Sequence, residues 1–93
     1  MIKYYVSTTD TFMSGWGCAD GKINKLIFEC DSLKQAEIVA DNARNRKDQK
    51  SIRIHVSKPY FQSGQYYVQD KTIEEYGAWY EEGYFAERTV KDV

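Results

Sequence analysis

Apolar and polar residues alternate along some stretches of this chain and fall at helical spacing along others, and the changes of period lay out its elements. Ile2 to Ser7 is a short aromatic and β-branched run that predicts a first strand. Lys22 to Cys30 contains Ile23 and then settles into period two, with Leu26, Phe28 and Cys30 facing one way. It reads as a second strand, antiparallel to the first. The period then changes: Leu33, Ala36, Val39, Ala40 and Ala43 form the stripe of an amphipathic helix, with Ile38 off that face. Ser32 followed by Gln35 fits a capping box at its start, and small alanines on the stripe suit close approach to a sheet. Arg44, Arg46 and Lys47 crowd the last turn, where cations complement the helix dipole.

Ser51 to Ser57 alternates again, with Ile52, Ile54 and Val56 against Arg53 and His55, and predicts a half-buried strand with a basic outer face. Residues 58–65 read as a turn around Pro59, the only proline, and Tyr66 to Gln69 begins a fourth strand. Thr72 and Glu75 suggest a second capping box. Ile73, Tyr76, Ala78, Trp79 and Tyr80 then give a short aromatic helix ended by Gly83, with Tyr84 and Phe85 pinning the chain down again. Arg88 to Val93 reads as a frayed end. The order is β-β-α-β-β-α. The expected fold is a single α+β domain over residues 1–93, with a largely antiparallel four-stranded sheet and one main helix on one face.

One stretch does not fit a plain hairpin. Thr8 to Gly21 is far longer than the roughly 2–5 residues a hairpin loop needs, and it interleaves Phe12, Met13 and Trp16 with Gly15, Gly17 and Gly21. Solvated linkers rarely carry such side chains. Two roles stay open: a lid on the core, or apolar anchors offered to a partner.

Composition adds a second feature. Net charge is −1, which excludes a histone-like polycation and a nucleic-acid-mimicking polyanion, but the charges are divided along the chain. Arg44, Arg46, Lys47, Lys50, Arg53 and Lys58 cluster with His55 and a single acid, Asp48. Asp70, Glu74, Glu75, Glu81, Glu82 and Glu87 dominate later. Such division suits steering toward a charged partner, or two solvated faces. The aromatic fraction of 15% includes eight tyrosines, which can close a small core or form an interaction face.

The chemistry-bearing residues are sparse. Cys18 and Cys30, with one histidine, do not make a four-ligand zinc site, and no metal or cofactor is expected. Gly15, Gly17, Gly21 and Lys22 miss the P-loop spacing, and Ile23 stands where its hydroxyl residue belongs. No nucleophile elbow surrounds Ser14 or Cys18, and His55 reads as a surface histidine beside two cations, so an enzyme is not expected. The opening Met-Ile-Lys-Tyr-Tyr-Val enters a strand directly. The expectation is a cytosolic chain without leader or bilayer span, its thiols reduced.

The run from Tyr4 to Gly17, together with Cys30-Asp31-Ser32, the helix through Ala43 and Arg46, and the Trp79-Tyr80 to Phe85 ending, resembles small bacteriophage and prophage proteins. The β-β-α-β-β layout, with Asp31-Ser32-Leu33 and Gln35-Ala36 opening the helix, is similar to certain small type I anti-CRISPR proteins. That resemblance implies a stoichiometric inhibitor of a host defence complex, such as a Cas effector, acting by contact in the host cytoplasm. The residues expected to meet a protein partner are Phe12, Met13 and Trp16 as anchors, with Arg44, Arg46, Lys47, Lys50 and Arg53 for charge. The alternative is nucleic-acid binding by the basic patch, with Lys58, Tyr60 and Phe61 adding charge and stacking. The aromatic content also suits a homodimer.

Overall fold

The computed structural model describes residues 3–11, 22–62 and 64–85. Strands β1 (Tyr4–Asp10), β2 (Ile23–Cys30), β3 (Gln49–His55) and β4 (Tyr66–Lys71) form one sheet in the order β3-β1-β2-β4. Helix α1 (Leu33–Arg44) joins β2 to β3 and packs on one face, as the sequence predicts. The strand directions differ from expectation. β1 runs antiparallel to β2 and β3, but β4 pairs parallel with β2, so the sheet is mixed and not largely antiparallel.

The reason lies in residues 56–65, of which the sequence reads 58–65 as a turn and Val56 and Ser57 as the end of the strand. β3 ends where His55 pairs with Tyr5, near the end of β2, whereas β4 starts with Tyr66 beside Ile23, at the beginning of β2. The chain therefore travels the length of the sheet and from one edge to the other. An extended segment of that size reaches about 30 Å, enough for the diagonal. It crosses the face away from α1, where Phe61 lies against Lys25 and Lys58 pairs with Asp70. That crossing explains why Asn24 to Phe28 of β2 are all buried, with helix on one side and strap on the other.

The core between sheet and helix holds Val6, Leu26, Phe28 and Cys30 against Ala36, Val39, Ala40 and Ala43, closed by Trp79, Tyr80 and Phe85. Phe28 stacks on Trp79 at 4.9 Å between centroids and meets Tyr76 and Tyr80 edge-on. Leu33, expected on the buried stripe, is instead 46% exposed, and Asn42 is buried in its stead. At about 100° per residue, Leu33 and Asn42 lie on opposite margins of the arc centred between Val39 and Ala36, so tertiary packing chose between them. Asn42 is retained because it hydrogen-bonds the carbonyls of Trp79 and Glu81.

Other boundaries shift. Thr8, Thr9 and Asp10 belong to β1, Thr8 and Thr9 pairing with β2 and Thr9 and Asp10 with β3, and not to the loop. Val56 lies beyond the end of β3 and is 76% exposed. The predicted second helix is only a four-residue 3-10 turn, Gly77–Tyr80. Glu75 and Tyr76 donate their N–H groups to the Thr72 carbonyl in a plain turn, and Gly77 disfavours longer helix. At α1 the cap forms: Ser32 Oγ accepts from the Gln35 N–H at 3.1 Å. The Gln35 amide oxygen accepts from the Asp31 N–H, one residue before the position a capping box predicts. No helix among the described residues is long and apolar enough to cross a membrane.

Candidate functional site

Side chains alternate across a strand, and paired residues share a face, so the register assigns what lies on the face away from α1. It carries Tyr5, Ser7 and Thr9 from β1, Ile23, Lys25, Ile27 and Glu29 from β2, and Tyr66, Val68 and Asp70 from β4. From β3 it carries Lys50, Arg53 and His55, since Lys50 pairs with Thr9, Arg53 with Ser7 and His55 with Tyr5. Lys50 and Arg53 share the face despite an odd spacing because a bulge intervenes, with Ser51 at φ 54°. That bulge gathers the basic residues of β3 on one side.

Lys25 is the unusual member. It is 8% exposed, no described carboxylate pairs with it, and its ammonium sits 4.9 Å from the Phe61 ring centre and 5.9 Å from that of Tyr66. The Phe61 and Tyr66 rings are themselves in contact at 5.3 Å, forming an aromatic wall beside the cation. Burial, and then the Arg53 charge, push the Lys25 ammonium below its ordinary range. Further along the same face, on β3, His55 Nε2 lies 2.8 Å from Ser7 Oγ, a buried hydroxyl. Burial lowers the His55 pKa, and Arg53 and Lys25 lower it further. His55 is thus a half-buried, hydrogen-bonded group and not the surface histidine the sequence suggests.

Acids concentrate at the opposite end of the same face. Lys3 bridges Glu29 and Asp31, and Lys58 pairs with Asp70 at 3.0 Å. An open recess of about 260 Å³ there is lined by Tyr5, Ile27, Glu29, Lys58, Asp70 and Lys71 among others. The face is therefore polarised, basic around Lys50, Arg53 and Lys25 and mixed around Glu29 and Asp70.

The cations expected in one patch separate into two sets. Arg44 is paired with Asp41, and Arg46 makes a two-point bridge to Asp48 while lying over the Trp79 and Phe85 rings. Arg46 is therefore a structural clamp on the helix side. Lys47 is exposed in the α1–β3 connection, and Lys50 and Arg53 are exposed on the sheet face, with no ion pair among the described residues. Tyr60 is 85% exposed and Phe61 half-buried in the strap. Phe12, Met13, Trp16 and Cys18 lie outside the described residues. Cys30 is buried as expected, and burial with nearby Asp31 and Glu29 pushes its thiol up to about 12, which keeps it protonated and inert.

Sequence reasoning missed Lys25, Ser7 and Tyr66. The period-two reading of β2 already put Lys25 opposite Leu26 and Phe28, but only the strap crossing gives it aromatic neighbours. Among the described residues no three His, Cys, Asp or Glu side chains are grouped to hold a metal ion. Comparisons with protein families, with curated proteins and with solved structures find no match to this chain.

Proposed function

We propose that this protein is a non-catalytic binding module that takes single-stranded nucleic acid across the basic half of its helix-free sheet face. The support is one assembly: Lys25, Lys50, Arg53 and His55 on that face, beside Phe61, Tyr66 and exposed Tyr60. Cations without carboxylate partners attract phosphates through counterion release, and aromatic rings stack on bases of any sequence. Fluorescence anisotropy with a labelled oligonucleotide tests it. Lys50→Glu/Arg53→Glu abolishes binding, and single Gln variants each flatten the salt dependence by about 0.7 in the log–log slope. An oligonucleotide that does not bind the parent chain at low salt overturns the reading.

A second reading follows the resemblance to phage proteins and anti-CRISPR inhibitors: the chain occupies a nucleic-acid site on a host defence complex by protein contact. Val56 and Tyr60, 76% and 85% exposed in the segment that follows β3, favour it as apolar anchors. Affinity capture from host lysate with and without nuclease separates the two. A defence complex that survives nuclease supports inhibition, and capture abolished by nuclease supports nucleic-acid binding.

A further inference from the structure

We infer that the bulge at Ser51 builds a phosphate track along β3, on which Lys50, Arg53 and His55 take three successive phosphates of one extended strand; this rests on the nucleic-acid reading and adds the path of the bound backbone. Ser51 holds φ 54°, a left-handed conformation that costs a residue with a Cβ and persists where the surrounding structure enforces it. Pairing shifts at the same place. Arg53 stands opposite Ser7 and Lys50 opposite Thr9, so β3 spends three residues where β1 spends two. In a regular strand residues 50 and 53 would point to opposite faces. With the bulge, Lys50, Arg53 and His55 face Thr9, Ser7 and Tyr5, alternate residues of β1.

Each step between these basic groups is therefore two residues of β1, about 7 Å. Two residues of a polypeptide and one nucleotide each span six backbone bonds. An extended strand laid along β3 thus presents its phosphates at nearly the same interval. Lys50 and Arg53 are exposed and form no ion pair among the described residues, and Thr9, Ser7 and Tyr5 beside them carry no charge. At the far end Ser7 Oγ meets His55 Nε2, and Nδ1 has no hydrogen-bond partner among the described residues. With the hydroxyl donating to Nε2, Nδ1 carries the ring proton and can donate a hydrogen bond to a phosphate oxygen.

Both ends of the track are closed. Past His55 the chain leaves β3 to cross the sheet, and Glu29, across Tyr5 from His55, is held by Lys3. Before Lys50, the Asp48 carboxylate accepts from the Gln49 amide and would repel a fourth phosphate.

NMR titration with a tetranucleotide lacking terminal phosphates, which has three linkages, tests the track. A neutral methylphosphonate replaces one linkage at a time. In the parent chain each replacement should weaken binding roughly three- to fivefold. Arg53 stands between the other two groups, so in Arg53→Gln the central replacement should have no further effect while the outer two keep theirs. In Lys50→Gln one outer replacement should become silent, and in His55→Gln the other. The end that belongs to Lys50 gives the strand's direction. Lys50 and Arg53 are exposed, so their two variants keep the fold and decide the matter even if His55→Gln does not.

If Arg53→Gln leaves the central linkage as costly as in the parent, or silences all three alike, the track falls and nucleic-acid binding stands. The same holds if a longer oligonucleotide binds and the tetranucleotide does not. If neither binds the parent chain at low salt, the nucleic-acid reading falls and the track with it.

Discussion

Asn42 Nδ2 lies 2.8 Å from the carbonyl oxygen of Trp79, so the last turn of α1 holds the 3-10 turn by a side chain reaching a backbone 37 residues later. The same nitrogen donates to the Glu81 carbonyl at 2.8 Å, and Asn42 Oδ1 accepts from the Phe85 N–H at 3.4 Å. This tether sets where Trp79 meets Phe28. Asn42→Leu fills similar space but leaves those backbone groups without their partner. A loss of about 2–4 kcal/mol is expected, seen in urea as a lower midpoint with an unchanged slope. A loss below about 1 kcal/mol would show that water replaces the amide.

Arg44 and Arg46 both form ion pairs, but their surroundings differ. Arg46 has Asp48 at two points and two aromatic rings within 5.0 Å, whereas Arg44 makes an exposed pair with Asp41 one turn away. Lysine cannot reproduce the planar fork or its stacking. Arg46→Lys should therefore cost about 1–2 kcal/mol and Arg44→Lys less than about 0.5 kcal/mol, compared by thermal or chemical unfolding. Equal costs would place the clamp elsewhere.

Acid should weaken this protein in two windows. The folded pKa of His55 lies below its ordinary 6.5, so the unfolded chain takes up the proton first. Stability is present above pH 6.5 and falls as pH drops through the folded value. Asp48 is lowered from 3.8, chiefly by the Arg46 hydrogen bond, so its contribution persists until pH falls below 3.8. His55→Gln should remove the first decline and leave the second. Equilibrium unfolding from pH 7.5 to 3 tests this, and an unchanged profile in His55→Gln would refute the assignment.

Lys25 tests whether the sheet face trades stability for binding. Its folded pKa is depressed below 10.5, so the parent chain should gain stability as pH rises through the folded value toward 10.5. Lys25→Met keeps the apolar stem and removes the charge. At neutral pH it should be more stable by roughly 0.5–1 kcal/mol, a gain that shrinks at alkaline pH, while nucleic-acid binding weakens. A variant less stable than its parent at pH 7 would mean the cation–π contacts with Phe61 and Tyr66 outweigh the burial cost.

The recess beside Lys58 and Asp70 offers a check on the strap. The pair is exposed, with side chains 53% and 59% accessible, so breaking it should barely alter global stability. Lys58→Ala should instead speed amide exchange in β4 near Asp70, without moving the unfolding midpoint by more than about 0.5 kcal/mol.

The periodicity of the sequence was enough to define the four strands and α1, though not the 3-10 turn read as a second helix. Ser32 and Gln35 mark the start of α1, the Ala36–Val39–Ala40–Ala43 stripe gives its buried side, and the alternation of Leu26, Phe28 and Cys30 gives the core face of β2. These are interactions within a few residues, set by backbone geometry and repeat. Strand direction is different, because a period-two pattern reads the same in both directions. Nothing local tells whether residues 56–65 turn back or cross the sheet.

That crossing decides the rest. It makes β4 parallel to β2 and buries Lys25 under Phe61, while the end of α1 holds Arg46 against Trp79 and the β3 bulge turns Lys50 and Arg53 to the sheet face. Likewise, Asn42 and Leu33 sit on opposite margins of one helical arc, and only the position of the Trp79 carbonyl selects which is buried. Composition and period determined what each segment could be. The pairing of distant segments, where burial and unmet hydrogen bonds are settled together, decided which of its side chains are available for function.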